Sequence, residues 1–401
     1  MSSPPIGNAR LYAARESKGL TSRPAFRRAL NTAASMAGYQ LDITERTIRR
    51  WESADPPWPQ QPHIDALEAV LERPATQLGF IPKPGYRVTA GQVKVRPRIH
   101  ETFQDTAIND FDTATTAFRK LYWTVPPRAL HASVSAHSDL GDALLAAATS
   151  EQNPLVANAA AKVHLLAGRL ALFDIHDNAD AYLHFTLALE QAQRCDDTAI
   201  AATVLAHLAI AAMNAENDES AWNWIQLAKS TTHKAPASKR LHAWVSAVAA
   251  EVETYSGNTN RALQLLVEAE QAIAVSDAEP DWLDWLTPTR MATLKATILL
   301  ASGRSRDARI ALERALDDLA VSDTKQRASV CADLAAVAAA EGETVSARDL
   351  LLRALDEVGN HGYQSVLRRI AQVRAQLGNA GELMIVDQRL ASWNTILGLV
   401  S

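Results

Sequence analysis

The sequence predicts an all-α protein: a small N-terminal domain of short helices followed by an α-solenoid of helical hairpins. Short amphipathic segments with good N-capping residues occupy the first part of the chain. Five alanine-containing segments then recur between residues 176 and 357, and strand-like alternation is rare after residue 101. We place the domains at 1–80, a basic Pro/Gly linker at 81–98, and the helical repeats at 99–401.

Charge is unevenly distributed along the chain. The net charge is -5, yet residues 1–98 contain 15 Lys/Arg and 8 Asp/Glu, or +7, which leaves -12 on the remaining residues. The excess is rich in arginine, whose guanidinium forms bidentate contacts with phosphate and guanine. We therefore expect the N-terminal part to bind a polyanion, with a merely solvated basic face as the alternative.

The composition also limits the location and chemistry of the protein. The sequence has no run of eighteen apolar residues and no apolar N-terminal leader, so we expect a cytoplasmic protein. Its two cysteines, Cys195 and Cys331, lack histidine partners at metal-ligand spacing. We expect two ordinary thiols, no metal and no cofactor.

The first two predicted helices are NARLYAARESK, ended by Gly19, and SRPAFRRALNTAASMAG, for which Thr21 is a plausible N-cap. Thr44 is a second good N-cap and opens ERTIRRWE, in which Ile48 and Trp51 are predicted to face inward. The amphipathic segment HIDALEAVLER then leads to LGF. Trp58 is expected to cover the core of this small domain.

LYAARESKGLT, ITERTIRRWESA and LEAVLERPATQLGF, in this order, resemble the XRE-type (Cro and lambda-repressor-like) helix-turn-helix domain. In its actinobacterial version this domain is often followed by tetratricopeptide-like repeats. The chain departs from the family between Leu20 and Ile43, where members usually have fewer residues. We therefore expect a longer connection between helices two and three, including NTAASMAGYQLD. The resemblance implies a sequence-specific regulator that binds a palindromic operator as a homodimer.

In this fold the second helix of the motif lies in the major groove. The resemblance thus assigns base contacts to the ERTIRRWE helix: Arg46 and Arg49 to guanine, and Glu45 to cytosine or to orienting an arginine. Thr47 lies on the same predicted face. The residues best suited to phosphate are Arg23, Arg27, Arg28, Thr44 and Arg50.

The five repeated segments start at residues 176, 216, 257, 303 and 342 and align without gaps. Alanine stands at two fixed offsets and a large apolar residue between them, which favours a helical hairpin with closely packed helices. The alanines are Ala181, Ala221, Ala262, Ala308, Ala347, Ala188, Ala228, Ala269, Ala315 and Ala354, and the large residues are Phe185, Ile225, Leu266, Leu312 and Leu351. The pattern resembles the tetratricopeptide repeat, with flanking hairpins expected before 160 and after 360.

The first helices of such hairpins line a concave face. Repeats of this type bind a signalling peptide in the RRNPP regulators of Gram-positive bacteria, so the resemblance implies a peptide or other small effector. The predicted ligand-binding residues are Asn214, Trp244, Glu251, Thr254, Tyr255, Arg290 and Thr297. Trp282 and Trp285 are expected either to pack as core or to form a lid over this face.

No nucleophile, base or metal constellation stands out, and the carboxylate pair Asp281 and Asp284 alone is typical of a solvated face. We therefore do not expect an enzyme. Two alternatives to the regulator remain open. One is an interaction scaffold whose N-terminal domain does not read DNA sequence. The other is a phage or antitoxin-like repressor whose body neutralises a partner protein.

Overall fold

A computed structural model describes residues 8–53, 56–73, 75, 78–80, 103–233, 238–273, 280, 282–359, 361–378 and 381–397. These residues form eighteen α-helices, and no strand occurs among them. The all-α prediction is confirmed, with helices that pack in successive pairs. The predicted linker at 81–98 and Asp281 lie outside the described residues.

The N-terminal unit, called the head below, has four short helices. They are α1 (Ala9–Ser17), α2 (Arg23–Met36), α3 (Glu45–Trp51) and α4 (Gln61–Leu71). The side chain of Thr44 caps α3 by accepting from Thr47 N, as predicted. Helix α2 is capped by Ser22, which accepts from Ala25 N, so the predicted cap at Thr21 was one residue too early.

Ile48 and Trp51 lie in the core of the head, as the sequence predicted. The Trp51 ring packs edge-on against Phe80, and Trp58 is a partly buried neighbour of the same core. Leu11 of α1 and Leu30 of α2 belong to the same core. The buried face of α3 therefore turns its arginines away from the core.

The long connection between α2 and α3 is shorter than the sequence suggested. NTAASM, the first half of the predicted connection, remains helical as the end of α2, and only residues 37–44 connect the two helices. Asn31 binds this connection from α2: its amide donates to Ile43 O at 3.1 Å and accepts from Ile43 N at 2.8 Å. These bonds fix the chain one residue before the cap of α3.

The remaining helices, called the body, start at residue 106. They are α5 (Thr106–Leu121), α6 (Pro127–Ala147), α7 (Asn153–Arg169), α8 (Asn178–Arg194), α9 (Thr198–Asn214), α10 (Asp218–Thr232), α11 (Lys239–Tyr255), α12 (Thr259–Ile273), α13 (Pro288–Ala301), α14 (Ser305–Asp317), α15 (Thr324–Ala340), α16 (Thr344–Val358), α17 (Gln364–Gln376) and α18 (Met384–Leu397). A π-helical turn, Leu170–Ile175, continues α7.

The five predicted hairpins are α7/α8, α9/α10, α11/α12, α13/α14 and α15/α16, each packed along its length. All ten repeat alanines are buried on the second helices, and so are the five large residues between them. Small side chains allow close approach of the two helices, and the large ones fill the space that remains. The repeat pattern thus predicted both the hairpins and their packing faces.

The first residue of each repeated segment adopts a left-handed backbone conformation. Gly257, Gly303 and Gly342 do so with φ between 71° and 80°, whereas His176 and Glu216 do so with φ of 59° and 54°. This conformation reverses the chain at the end of the first helix, and it costs little only for glycine. The five repeats therefore share one turn geometry, at a conformational cost in two of them.

Helix α7 and its π-helical turn, residues 153–175, form the one helix among the described residues that is long and apolar enough to cross a membrane. Other helices bury 83% of its most apolar stretch. Its composition is accounted for by its central position in the body, between α6 and α8.

We predict that Glu216→Gly stabilises the body by about 0.5–1 kcal/mol, because the cost of the left-handed conformation exceeds the added entropy of the unfolded chain. The side chain of Glu216 is exposed, so little else is lost. Gly303→Ala introduces the same cost where no neighbour is displaced, and it should destabilise by about 1 kcal/mol. Urea denaturation of both variants measures these effects, and a less stable Glu216→Gly protein would contradict the prediction.

Candidate functional site

The outer face of α3 presents an arginine-rich surface. Arg46, Arg49 and Arg50 are exposed, as is the cap residue Thr44, while Glu45 and Thr47 are half-buried at the start of the helix. Helix α2 adds Arg28, which is exposed, and Arg27, which is half-buried. The predicted DNA-facing residues of α2 and α3 therefore remain accessible in the folded head.

The basic residues of the head fall into two groups. In the first group each side chain has a carboxylate partner: Arg10 with Asp142, Arg15 and Arg23 with Glu52, Lys18 with Glu72, and Arg73 with Asp177. In the second group the side chains form no ion pair or hydrogen bond with any described residue. That group is Arg27, Arg28, Arg46, Arg49 and Arg50.

Arg23 differs from the other predicted phosphate contacts. Its Nε lies 2.7 Å from Glu52 Oε2, and Glu52 is buried at the end of α3, where it also binds Arg15. A buried carboxylate with two arginine partners holds α1, α2 and α3 together. The structure therefore gives Arg23 a structural contact in addition to any contact with phosphate.

Asn8 fixes α3 from its C-terminal side. Its amide donates to Trp51 O at 3.1 Å and to Leu78 O at 2.8 Å, and its backbone N–H donates to Glu52 O. Gly79 packs against this amide in a left-handed conformation, and a Cβ there would lie 2.2 Å from Asn8 Oδ1. The LGF segment thus requires glycine for a close contact that orients α3.

Helix α1 joins the head to the body. Leu11 and Ala14 belong to the core of the head, whereas Ala13, on the other side of the helix, belongs to the largest core of the body. The partner of α1 in the body is α8, which supplies Tyr182. This contact was not predicted from the sequence, because α1 is too short and its apolar residues are too evenly spread around the helix to indicate two buried faces.

A polar network surrounds this contact. Asp142 accepts from Arg10 of the head at 3.3 Å and lies 3.1 Å from His164 Nε2. His164 Nδ1 in turn lies 2.9 Å from His184 Nδ1, so one of these two nitrogens donates and the other accepts. Burial lowers the pKa of His184 to about 3, which keeps this imidazole neutral. The network connects α1 with α6, α7 and α8.

The body contains a partly open cavity of about 180 Å³. Its walls come mainly from the first helices of the hairpins, α7, α11, α13 and α15, with additions from the end of α5 and from α17. The lining residues are Tyr122, Trp123, Arg169, Phe173, Asp174, Trp244, Trp285, Thr287, Thr289, Arg290, Thr293, Lys325, Gln326, Ser329, Ser365 and Val366. The prediction that first helices line the inner face agrees with this arrangement.

Two of the seven predicted ligand residues, Trp244 and Arg290, line the cavity. Glu251 is half-buried nearby, where burial raises its pKa and the charge of Arg290 opposes that rise. The others lie elsewhere: Asn214, Tyr255 and Thr297 are exposed, and Thr254 is half-buried one turn beyond Glu251. The predicted inward positions were wrong toward the helix ends, since three of these four residues stand in the last turn of their helices.

Arg169 is the most informative lining residue, and sequence reasoning missed it. Its residue is 5% exposed, and its guanidinium centre lies 3.9 Å from the Trp285 ring centroid and 5.1 Å from that of Tyr122. Burial lowers its pKa. It forms no hydrogen bond or ion pair with the described residues. Arg169 ends an otherwise apolar helix, which was the available signal.

The other charges at the cavity form a pair. Lys325 Nζ lies 2.7 Å from Asp174 Oδ1 and 3.8 Å from the centroid of the Tyr122 ring. Burial opposes the charged lysine, but Asp174 and Tyr122 outweigh burial and raise the pKa of Lys325. Asp174 is fully buried in the π-helical turn. This pair is neutral overall, so Arg169 and Arg290 carry the net positive charge of the cavity.

The tryptophans before α13 take the first of the two roles considered for them and pack as core. Trp282 and Trp285 are buried in the largest core of the body, and Trp285 also forms a wall of the cavity. Asp284 lies between them in the chain, and its carboxylate is 3.6 Å from Arg119. That contact gives Asp284 a structural partner.

Comparison of the sequence with protein-family models and with curated proteins found no match.

Glu16 makes the contact between head and body sensitive to pH. Its side chain is 4% exposed, beside Tyr182 of α8, and Arg15 is largely engaged by Glu52. Burial raises the pKa of Glu16 to about 7, Arg15 opposes this rise, and Glu52 adds to it. A carboxyl group with a raised pKa stabilises the folded state below its ordinary pKa, and that stability is lost as pH rises through 7.

We predict that raising the pH from 5 to 8 destabilises the docked head by at most about 3 kcal/mol. Glu16→Gln should reduce this pH dependence and stabilise the protein at pH 8, while the exposed Glu219→Gln should change neither. Thermal unfolding at several pH values, combined with limited proteolysis of the head, measures both effects. An unchanged pH profile in Glu16→Gln would refute the assignment.

Proposed function

We propose that the protein is a sequence-specific DNA-binding transcriptional regulator of the XRE type. One observation carries the proposal: five arginines on α2 and α3 lack partners among the described residues, whereas each other described basic residue of the head is paired. A structural cap of the body would not need an accessible cluster of unpaired guanidinium groups. DNA supplies the phosphates and guanines that such groups bind.

The distribution of charge supports the same function. The residues after 98 carry -12 and residues 1–98 carry +7, so the body repels DNA while the N-terminal part, linker included, attracts it. The orientation of α3 is fixed from both ends, by Asn31 through Ile43 and by Asn8 through Trp51. A rigidly held short helix with an arginine-rich outer face meets the requirements for reading a major groove.

The body is proposed to dimerise and to bind an effector, a peptide or another small molecule, in the cavity. A homodimer would place two α3 helices on half-sites about one DNA turn apart and would select a palindromic operator. Such a regulator acts in the cytoplasm. The alternative is a scaffold whose helical body holds a protein partner and whose head does not read sequence, and the next two experiments separate these functions.

We expect purified protein to enrich a palindromic site from genomic fragments at physiological salt. The double variant Arg46→Ala, Arg49→Ala should lose that enrichment, because each base contact contributes about 1–3 kcal/mol of discrimination. The matched control is Arg306→Ala, Arg314→Ala, which removes two exposed arginines of α14 and should enrich the same site. Enrichment of no site by the unmodified protein would favour the scaffold.

The assignment of phosphate contacts predicts a different result for α2. Arg27→Ala, Arg28→Ala should weaken binding to operator and random DNA alike, and should reduce the slope of log K against log salt by roughly 2 per protomer. Fluorescence anisotropy at several salt concentrations measures this slope. Equal losses on operator and random DNA for both double variants would disprove the division between base and phosphate contacts.

A further inference from the structure

We propose that the effector of the cavity is a small planar carboxylic acid, with its carboxylate on Arg169 and its flat body between the aromatic walls. The proposal deepens the effector role described above and depends on it. It differs from the expectation of an extended peptide lying along the repeats. The charge, the unpaired donors and the size of the cavity each lead to this class of ligand.

Charge gives the first argument. Arg169 is buried and positively charged, and Lys325 is already matched by Asp174. The charges of Asp284 and Asp174 act on Arg169, but neither carboxylate forms an ion pair with it. A buried ion without a partner costs several kcal/mol, and proteins rarely retain one unless something pairs with it. The guanidinium stacks on Trp285, and stacking leaves its N–H edges free to donate. An anion with two acceptor oxygens in one plane fits such an edge.

Unpaired hydrogen-bond donors give the second argument. The indole N–H groups of Trp244 and Trp285 and the Nε of Arg169 are buried and lack hydrogen-bond partners among the described residues. All three belong to residues that line the cavity. The one carboxylate of the lining, Asp174, lies against Lys325. The side chains of Asp174 and Lys325 balance each other's charge but form no hydrogen bond with the described residues. The side of the cavity formed by Arg169, Trp244 and Trp285 therefore offers unpaired donors and requires a ligand that supplies acceptors.

Size and shape give the third argument. One water molecule needs about 10–15 Å³ measured in this way, so a volume of about 180 Å³ holds a ligand of on the order of ten non-hydrogen atoms. That is a single small molecule or one terminal residue of a peptide. The ring centroids of Trp244 and Trp285 are 6.2 Å apart and the rings are nearly perpendicular, and the Arg169 guanidinium lies close to the rings of both Trp285 and Tyr122. Ring walls of this kind favour a flat apolar body.

The test is titration calorimetry of the full chain, without DNA, with benzoate, salicylate and indole-3-acetate at up to millimolar concentrations. Benzamide, salicylamide and indole-3-acetamide are the uncharged counterparts. We expect the acids to bind about tenfold or more tightly than the amides, because each acid forms charge-assisted hydrogen bonds. No binding by any of the acids, or equal binding by acids and amides, would overturn the proposal.

Variants locate the binding site. Arg169→Met removes the charge at similar volume and should abolish the preference for acids, whereas Arg169→Lys should retain part of it. The exposed Arg306→Met is the matched control and should bind as the unmodified protein does. Melting temperature and helical content establish that each variant folds, and Trp285→Phe gives an independent variant that lacks one N–H donor. Unchanged acid binding in folded Arg169→Met would refute the assignment.

A further titration distinguishes the two possible sources of the carboxylate, a peptide C-terminus and a free small acid. An acetylated tripeptide ending in phenylalanine is compared with its C-terminal amide and with the free acids. Tighter binding of the peptide acid would identify a peptide terminus as the source, and tighter binding of the free acids would identify a small molecule. Because these titrations contain no DNA, their failure would leave the DNA-binding proposal intact, and failure of operator selection would leave the ligand assignment intact.

Discussion

The position of the arginine-rich surface depends on one helix that belongs to two cores. Helix α1 is only nine residues long, yet it contributes Leu11 to the core of the head and Ala13 to that of the body. A helix this short gains most of its stability from tertiary contacts. The head therefore has little freedom to move as long as α1 remains on α8. The raised pKa of the buried Glu16 predicts that this contact weakens as the pH rises.

Helix α7 connects this contact to the cavity. His164 bonds to Asp142, which also holds Arg10 of the head, and Arg169 stands five residues further along the same helix. The π-helical turn that follows places Asp174 beside Lys325, and α17 packs on that turn. Such turns interrupt regular hydrogen bonding and occur frequently at functional sites. A displacement of α7 at the cavity would therefore alter the contact between His164 and Asp142.

The helical hairpins and α3 could be predicted from the sequence, because repeats and capping residues mark them. Alanine at fixed offsets marks the packed face of each hairpin, and Thr44 with Ile48 and Trp51 marks α3, because these patterns follow from local geometry. The docking of α1 on α8 and the pairing of Arg23 with Glu52 join residues distant in sequence, and no local pattern encodes them. Trp244 and Arg290 were predicted because they stand on first helices that the repeat pattern locates. Arg169 was missed because its contacts with Trp285 and Tyr122 join residues distant in sequence.

The exposed arginines of α3 and the buried Arg169 differ in how much free energy it costs to leave them without carboxylate partners. Arg46, Arg49 and Arg50 are exposed, so water solvates them and their lack of carboxylate partners costs little stability. A single exposed arginine without a partner is therefore no evidence of function. A cluster of them is evidence, because the described basic residues of the head outside the cluster are all paired. Arg169 is buried, and its stacking on Trp285 offsets only part of the lost hydration. A single buried guanidinium thus constrains its ligand more strongly than three exposed ones constrain theirs.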